Sequence, residues 1–316
     1  MSGTEAVAIV PPLPAAVRAR DQAMQEHLAW MQGHGLLRAS ADLARHRRHR
    51  LAELAWHTYP EATGEDLRLG YDVIGWLYAF DDLVDDPATE TKDVIDHTRR
   101  LCHVLFAAEA PSTVDHCAYT RSFHDLWSRS QEPMPRTWRA RAAFHWERYF
   151  SSQPYAMPHG SQGLATDPDE YLELRRGSSG SEVVLDLAER LQHFCIPPPE
   201  YHSTALRRLR RITVDLLNLT NDLHSAAQEA AAGGRQNMVL LTQAVEGVDR
   251  TAARAHVGRM VDTLLAEFAA VRPQADRLAG RPGSAARASV EAMWNWIHSY
   301  DAWGRQSDRY RNQRQQ

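Results

Sequence analysis

Apolar residues recur at every third or fourth position through nearly every long segment of this chain. Leu67, Tyr71, Ile74, Leu77 and Tyr78 keep that period ahead of an acidic cluster, and residues so spaced share one face of an α-helix. Alternation of apolar and polar residues, the mark of a half-buried strand, is nearly absent. An all-α protein is therefore expected. Turn-rich interruptions at 59–64, 87–91, 132–135, 153–169, 196–200, 233–234 and 280–284 divide the chain into about eight to ten helices. No internal repeat is visible and no interruption reads as a long flexible linker, so residues 1–316 are expected to form one helical bundle. Residues 1–16, with three prolines among them, read as an extended arm, and 311–316 as a flexible tail. The Gly-, Pro- and Ser-rich stretch 153–169 reads as a surface loop in preference to a mobile loop over a site.

The 316 residues, 43% of them hydrophobic, suffice for one large core. Mean hydropathy is -0.50, and no apolar run approaches the roughly 20 residues of a bilayer span. No membrane partner is expected. The first basic residue, Arg18, follows the apolar run 6–10, the reverse of a signal peptide's charge order. With only Cys102, Cys117 and Cys195 as thiols, the expected location is the cytoplasm. A net charge of -4, from 36 basic and 40 acidic residues, argues against a globally basic nucleic-acid binder. The arginine-rich runs 45–50 and 207–211 read as solvated helix faces. Sixteen histidines include no HExxH pair, and neither a P-loop nor a GxGxxG turn occurs.

Residues 80–86, Phe-Asp-Asp-Leu-Val-Asp-Asp, close an apolar helix just before Pro87. Asp81 and Asp85 fall one turn apart on one face, with Asp82 and Asp86 as a second pair beside them. Carboxylates so placed can share hard divalent cations whose remaining positions take water or phosphate oxygens. Negative charge at a helix C-terminus opposes the macrodipole, so the cluster lacks an obvious structural reason. Farther along, Asn221, Ser225 and Glu229 stand at i, i+4 and i+8, after a buried-looking run, 216–219, that Asn218 interrupts. Each i+4 step drifts by about 40° on a 3.6-residue helix, so an amide oxygen, a hydroxyl and a carboxylate can still converge on one ion.

These residues resemble the class I terpene synthases (terpene cyclases), particularly the bacterial single-domain type. Asp81, Asp82 and Asp85 match the family's DDxxD motif, and 221–229 matches its NDxxSxxxE motif. Arg309-Tyr310, with Trp303 ahead of it, looks like the C-terminal RY pair, and 171–176 resembles the segment bearing the diphosphate-sensing arginine, here Arg175. The four matches run in order from residue 80 to 310. Two departures stand out. Gln228 occupies a place where the family often has lysine, leaving that contact either missing or taken over by Arg235, and Ser178 stands where an aspartate commonly links the sensor onward.

The resemblance implies a helical bundle with a central cavity and a Mg2+-dependent cyclase that ionises a linear prenyl diphosphate. Farnesyl diphosphate is the first choice of substrate and geranylgeranyl diphosphate the second. Three Mg2+ ions are implied, held by Asp81, Asp82 and Asp85 on one side and Asn221, Ser225 and Glu229 on the other. Arg175, Arg309 and Tyr310 would bind the diphosphate. Arg176 reads as a surface ion-pair partner. Tyr78, Phe80, Trp303, Ser178, Ser179 and Gly180 would line the pocket, whereas Trp56, Trp146, Trp294 and Trp296 read as core packing. A homodimer is left open. A prenyl diphosphate synthase-like prenyltransferase carries two aspartate-rich motifs, for which 221–229 is the wrong partner. A non-enzymatic helical nucleic-acid-binding or regulatory protein, using the arginine runs, would make all four matches coincidence.

Overall fold

The computed structural model describes residues 14–106, 117–157, 167–278 and 284–310, which are helical with no strand among them. In chain order the helices are α1 (Pro14–Gly33), α2 (Ser40–His49), α3 (Leu51–Thr58), α4 (Gly64–Asp85), α5 (Thr91–Phe106), α6 (Ala118–Gln131) and α7 (Arg136–Ala156). They continue with α8 (Pro168–Ser178), α9 (Ser181–Leu191), α10 (Pro198–Tyr201), α11 (Thr204–Ala231), α12 (Met238–Glu246), α13 (Arg250–Leu278) and α14 (Ala285–Gln306).

Fourteen described helices exceed the expected eight to ten, in part because single left-handed residues break what reads as continuous helix. Arg50, at φ 55, separates α2 from α3, and Gly180, at φ 68, separates α8 from α9. The supposed N-terminal arm is shortened as well: α1 begins at Pro14, while 1–13 and the tail 311–316 lie outside the described residues. The stretch 153–169 is trimmed from both ends, since α7 runs to Ala156 and α8 starts at Pro168, with Asp167 accepting hydrogen bonds from the amides of Asp169 and Glu170 as its N-cap. Residues 158–166 lie outside the described set.

The apolar period around Leu67 to Leu77 makes α4 the central helix, packed by α1, α3, α6 and α9. Gly75 permits the approach of α1, because a Cβ there would stand 2.5 Å from the His27 ring. The indole of Trp76 is fully buried among Phe80, Phe123, Trp146 and Phe150, and its Nε1 donates to Ser122 Oγ at 2.9 Å. Fully burying each such ring contributes about 1.5–3 kcal/mol. On the other side α11 packs against α13, α14, α8 and α9. Helices α9 and α14 bridge the two halves, α9 touching α4 and α11, and α14 touching α3 and α11. Buried Asp186 on α9 fixes this frame by pairing with His145 on α7 and Arg210 on α11. His145 and Arg210, together with Arg141, hold its carboxyl below the ordinary range against the opposing cost of burial.

Candidate active site

Between α4 and α11 lies a cavity of about 300 Å³. Its lining is graded along both helices. On α4 it runs from Ile74, Leu77 and Tyr78 up to Asp81 and Asp85; on α11 it runs from Leu217 and Asn218 up to Asn221, Ser225 and Glu229. At 1.5 Å rise per residue each wall spans about 16–18 Å, apolar at one end and oxygen-rich at the other. Tyr149, Val184, Trp296 and Tyr300 complete the apolar end.

At the polar end the C-terminal segment closes over α4. Arg309 donates from Nη2 to Asp81 Oδ2 at 2.8 Å and from Nη1 to Asp82 Oδ1 at 2.7 Å, with its guanidinium 4.9 Å from the Tyr78 ring centroid. Asp82 is outside the lining, while Asp81, bonded to the same guanidinium, is part of it. Asp85 sits at the rim. Removal from bulk water, and then the field of Asp81, pushes its carboxyl well above the ordinary range, with Glu229 across the cavity adding to the rise. Asp81 and Glu229 are raised too, in each case first by desolvation.

On α11, Asn221 is a junction. Its Oδ1 accepts from Arg175 Nη2 at 3.1 Å, and its Nδ2 donates to the hydroxyls of Tyr300 and Tyr310, both at 2.8 Å. Ser225 Oγ donates to the Asn221 carbonyl at 2.9 Å and accepts from Asn237 Nδ2 at 3.3 Å. Asp222, the second residue of the motif, faces the other way. It accepts from Tyr171 Oη and from the Met238 amide, each at 2.8 Å, so it ties α8 and α12 to α11, and burial pushes its carboxyl up to about 7.

Arg175 lines the cavity and Arg176 does not. Loss of hydration works against the charge of Arg175, but Tyr171, Asp222, Glu229 and Asp81 more than offset it and raise its pKa. Arg176 makes a two-pronged pair with Asp215, at 2.7 and 2.8 Å, and reaches Glu173, an ion pair as expected but largely buried and not on the surface. Gln228 lines the cavity and Arg235 is exposed outside the lining, so no arginine from position 235 takes the missing lysine's place here.

Of the expected pocket residues, Tyr78, Ser178 and Ser179 are in the lining, and Phe80, Trp303 and Gly180 are not. Phe80 stacks on Trp76 in the core at 5.2 Å. Trp303 stands behind the wall, against Tyr78, Tyr300 and Tyr310, with Nε1 donating to the His49 carbonyl at 2.7 Å. Gly180 supplies the left-handed break that turns Ser178 and Ser179 toward the cavity. A Cβ on it would meet Leu77 Cδ2 at 3.3 Å. Trp296, expected in the core, lines the cavity with Tyr300, and Tyr149, Gln153 and Asn218 join them unforeseen. The signals were present: Trp296 and Tyr300 are an i, i+4 pair, and Asn218 breaks an apolar run.

The donor set fits a hard divalent cation. Among the described residues no three or more His, Cys, Asp or Glu side chains form a ready metal cage. Instead, one or two carboxylates on α4 face an amide oxygen, a hydroxyl and a carboxylate on α11, lining one cavity. Cations of the Mg2+ type are commonly held by such sparse carboxylates together with water and substrate phosphates. Desolvation first, and repulsion among the carboxylates after it, raise the carboxyls of Asp81, Asp85 and Glu229, a cost that a bound cation would relieve.

Comparison with known proteins agrees with this arrangement. Residues 72–267 match the profile of "Terpene synthase family 2, C-terminal metal binding". The chain is 36% identical over 252 residues to a (-)-beta-caryophyllene synthase, (2E,6E)-farnesyl diphosphate cyclizing, of Saccharothrix espanaensis, covering 79% of this chain and 71% of that one. It is likewise 36% identical over 252 residues to a pentalenene synthase of Streptomyces avermitilis, covering 78% and 74% of the two chains. The crystal structure of a linalool/nerolidol synthase from Streptomyces clavuligerus superposes with a TM-score of 0.84 at 26% identity, covering 95% of this chain and 99% of the other. By profile, sequence and architecture alike, this chain belongs to the terpene synthase family.

Proposed function

We propose that the protein is a Mg2+-dependent terpene cyclase that ionises farnesyl diphosphate and cyclises the resulting carbocation. The observation that carries this reading is the gradient of the cavity, oxygen ligands and two arginines at one end and aromatic walls at the other. Asp81 and Asp85, facing Asn221, Ser225 and Glu229, are the residues to hold three Mg2+ ions, which would supply neutralising charge to the departing diphosphate. Arg175 and Arg309 present planar donors to its oxygens. In binding diphosphate, Arg309 exchanges one anionic partner for another, since it now spans Asp81 and Asp82. The Tyr310 hydroxyl, beside Asn221, adds a further donor.

When the C–O bond breaks, its electron pair leaves with the diphosphate and an allylic cation remains among Leu77, Val184, Leu217 and the rings of Tyr149 and Trp296. One ring contributes about 0.5–2 kcal/mol to a nearby cation, enough to choose among rearrangements and too little to drive ionisation. The face of Tyr78 is taken by Arg309, so that ring serves the arginine first. The cavity of about 300 Å³ is at the small end of ligand pockets, roughly 300–1,000 Å³, which favours farnesyl over geranylgeranyl diphosphate. The relative from Saccharothrix espanaensis, named for cyclising farnesyl diphosphate, points the same way.

The test is to incubate the purified protein with Mg2+ and geranyl, farnesyl or geranylgeranyl diphosphate in turn and to analyse volatile products by mass spectrometry. Cyclic C15 products from farnesyl diphosphate, in excess over products of the other two, are expected. Cyclic C20 products in excess would refute the chain-length assignment, and linear elongated diphosphates would refute the cyclase.

A further inference from the structure

Three residues that line the apolar end of the cavity carry buried polar atoms for which the described residues provide no hydrogen-bond partner. The atoms are Ser178 Oγ, Asn218 Nδ2 and Trp296 Nε1, on residues that are 5%, 1% and 4% exposed and that all line the cavity. Leaving one such group unpaired in a dry site costs about 1–3 kcal/mol. Neighbouring polar groups are already engaged: Gln153 Nε2 donates to the carbonyls of Tyr149 and Ser178, and Ser179 Oγ donates to Ser181 Oγ.

Two of the three residues fall at one level along α8 and α11. Tyr171 pairs with Asp222, Arg175 with Asn221 and Arg176 with Asp215, so α8 and α11 run past each other in opposite directions. Ser178 lies three residues beyond Arg175, and Asn218 three residues before Asn221. On antiparallel helices those steps lead the same way, about 4.5 Å deeper than the Arg175–Asn221 bond. The pair therefore sits below the diphosphate end, where the hydrocarbon part of a prenyl chain offers no acceptor to an amide N–H.

We propose that Ser178 and Asn218 hold a water molecule that captures the final carbocation, so that the main product is a terpene alcohol. This rests on the cyclase reading above. Asn218 Nδ2–H donates to the water oxygen, and Ser178 Oγ accepts one of its hydrogens, leaving a lone pair for carbon. Neither side chain is a base, so the water stays neutral until the cation reaches it. The lone pair then forms the C–O bond, and the oxonium loses its proton to an oxygen of the diphosphate released in the first step. The balance is prenyl diphosphate plus water giving alcohol plus protonated diphosphate, without oxidation or reduction. Trp296 Nε1 is a second donor available to the same water.

The experiment is turnover of farnesyl diphosphate with Mg2+ in 18O-labelled water, reading labelled alcohol and hydrocarbon per diphosphate released. The wild-type protein is expected to give mainly alcohol carrying one 18O. In Asn218→Leu and in Ser178→Ala the alcohol-to-hydrocarbon ratio should fall about tenfold, the loss of one well-placed hydrogen bond. Ser178→Thr, which keeps the hydroxyl, should restore labelled alcohol. Being a ratio, the readout does not depend on how much variant folds. Diphosphate release with unlabelled hydrocarbon alone from the wild type would overturn this inference and leave the cyclase reading standing. An unchanged ratio in both Asn218→Leu and Ser178→Ala would overturn the assignment to these residues. No diphosphate release from the wild type would overturn the cyclase reading and this inference with it.

Discussion

Asn221→Ala is expected to lower turnover at least about a hundredfold, close to 2.7 kcal/mol of lost transition-state stabilisation, with the far-ultraviolet circular dichroism of the native protein retained. Asn221 is both a candidate metal ligand and the contact that joins Arg175 to Tyr300 and Tyr310. Alanine removes the ligand oxygen and releases all three partners. The fold should survive because its frame lies elsewhere. Tyr300 and Tyr310 keep their mutual contact at 3.3 Å, Asp222 still ties α11 to α8 and α12, and each lost hydrogen bond costs only about 1 kcal/mol. Steady-state diphosphate release measured beside circular dichroism checks this. Retained turnover would show that no required metal sits on α11 at this position.

The second large effect separates two adjacent arginines. Arg175→Ala is expected to lower kcat by about two to three orders of magnitude, the scale of removing one preorganised donor to a leaving anion. Arg176→Ala should leave kcat within about threefold and act on stability. It abandons Asp215, 6% exposed, whose two oxygens are both bonded to that guanidinium. Breaking such a pair costs on the order of 3 kcal/mol. Kinetics and thermal unfolding of the two variants should thus move in opposite columns. Equal losses of kcat would refute the division of roles.

The same helical period that exposes the site in the sequence also separates its residues from their immediate neighbours. Asp81 and Asp85, and Asn221, Ser225 and Glu229, share faces because residues four apart lie nearly one turn apart. Immediate neighbours do not share them. Phe80 and Asp82 each stand about 100° from Asp81 around the helix, so Phe80 enters the aromatic core and Asp82 falls outside the lining. Trp303 is assigned to the pocket by the family pattern, which does not fix how far along α14 the cavity reaches. Trp303, seven residues after Trp296, shares the face of α14 that carries Trp296 and Tyr300, but its indole is held at the His49 carbonyl behind the lining.

Tertiary pairings are the part that periodicity does not encode. The bridge from Arg309 to Asp81 and Asp82 spans most of the chain, and the role of Asp222 depends on where α12 returns. Helix breaks at Arg50 and Gly180 depend on single left-handed residues, one of them an arginine that no turn signal marks. The family resemblance singles out Arg175, and in the structure its Nη2 donates to Asn221 Oδ1.

Everything above rests on a divalent cation joining α4 and α11 around a diphosphate. The most direct test is to measure diphosphate released from farnesyl diphosphate by the purified, metal-stripped protein as Mg2+ is added, chelated with excess EDTA and added again. Release that appears with Mg2+, stops with chelation and returns on re-addition is the expected result. Release that is indifferent to the metal, or no release at saturating Mg2+, would contradict the account.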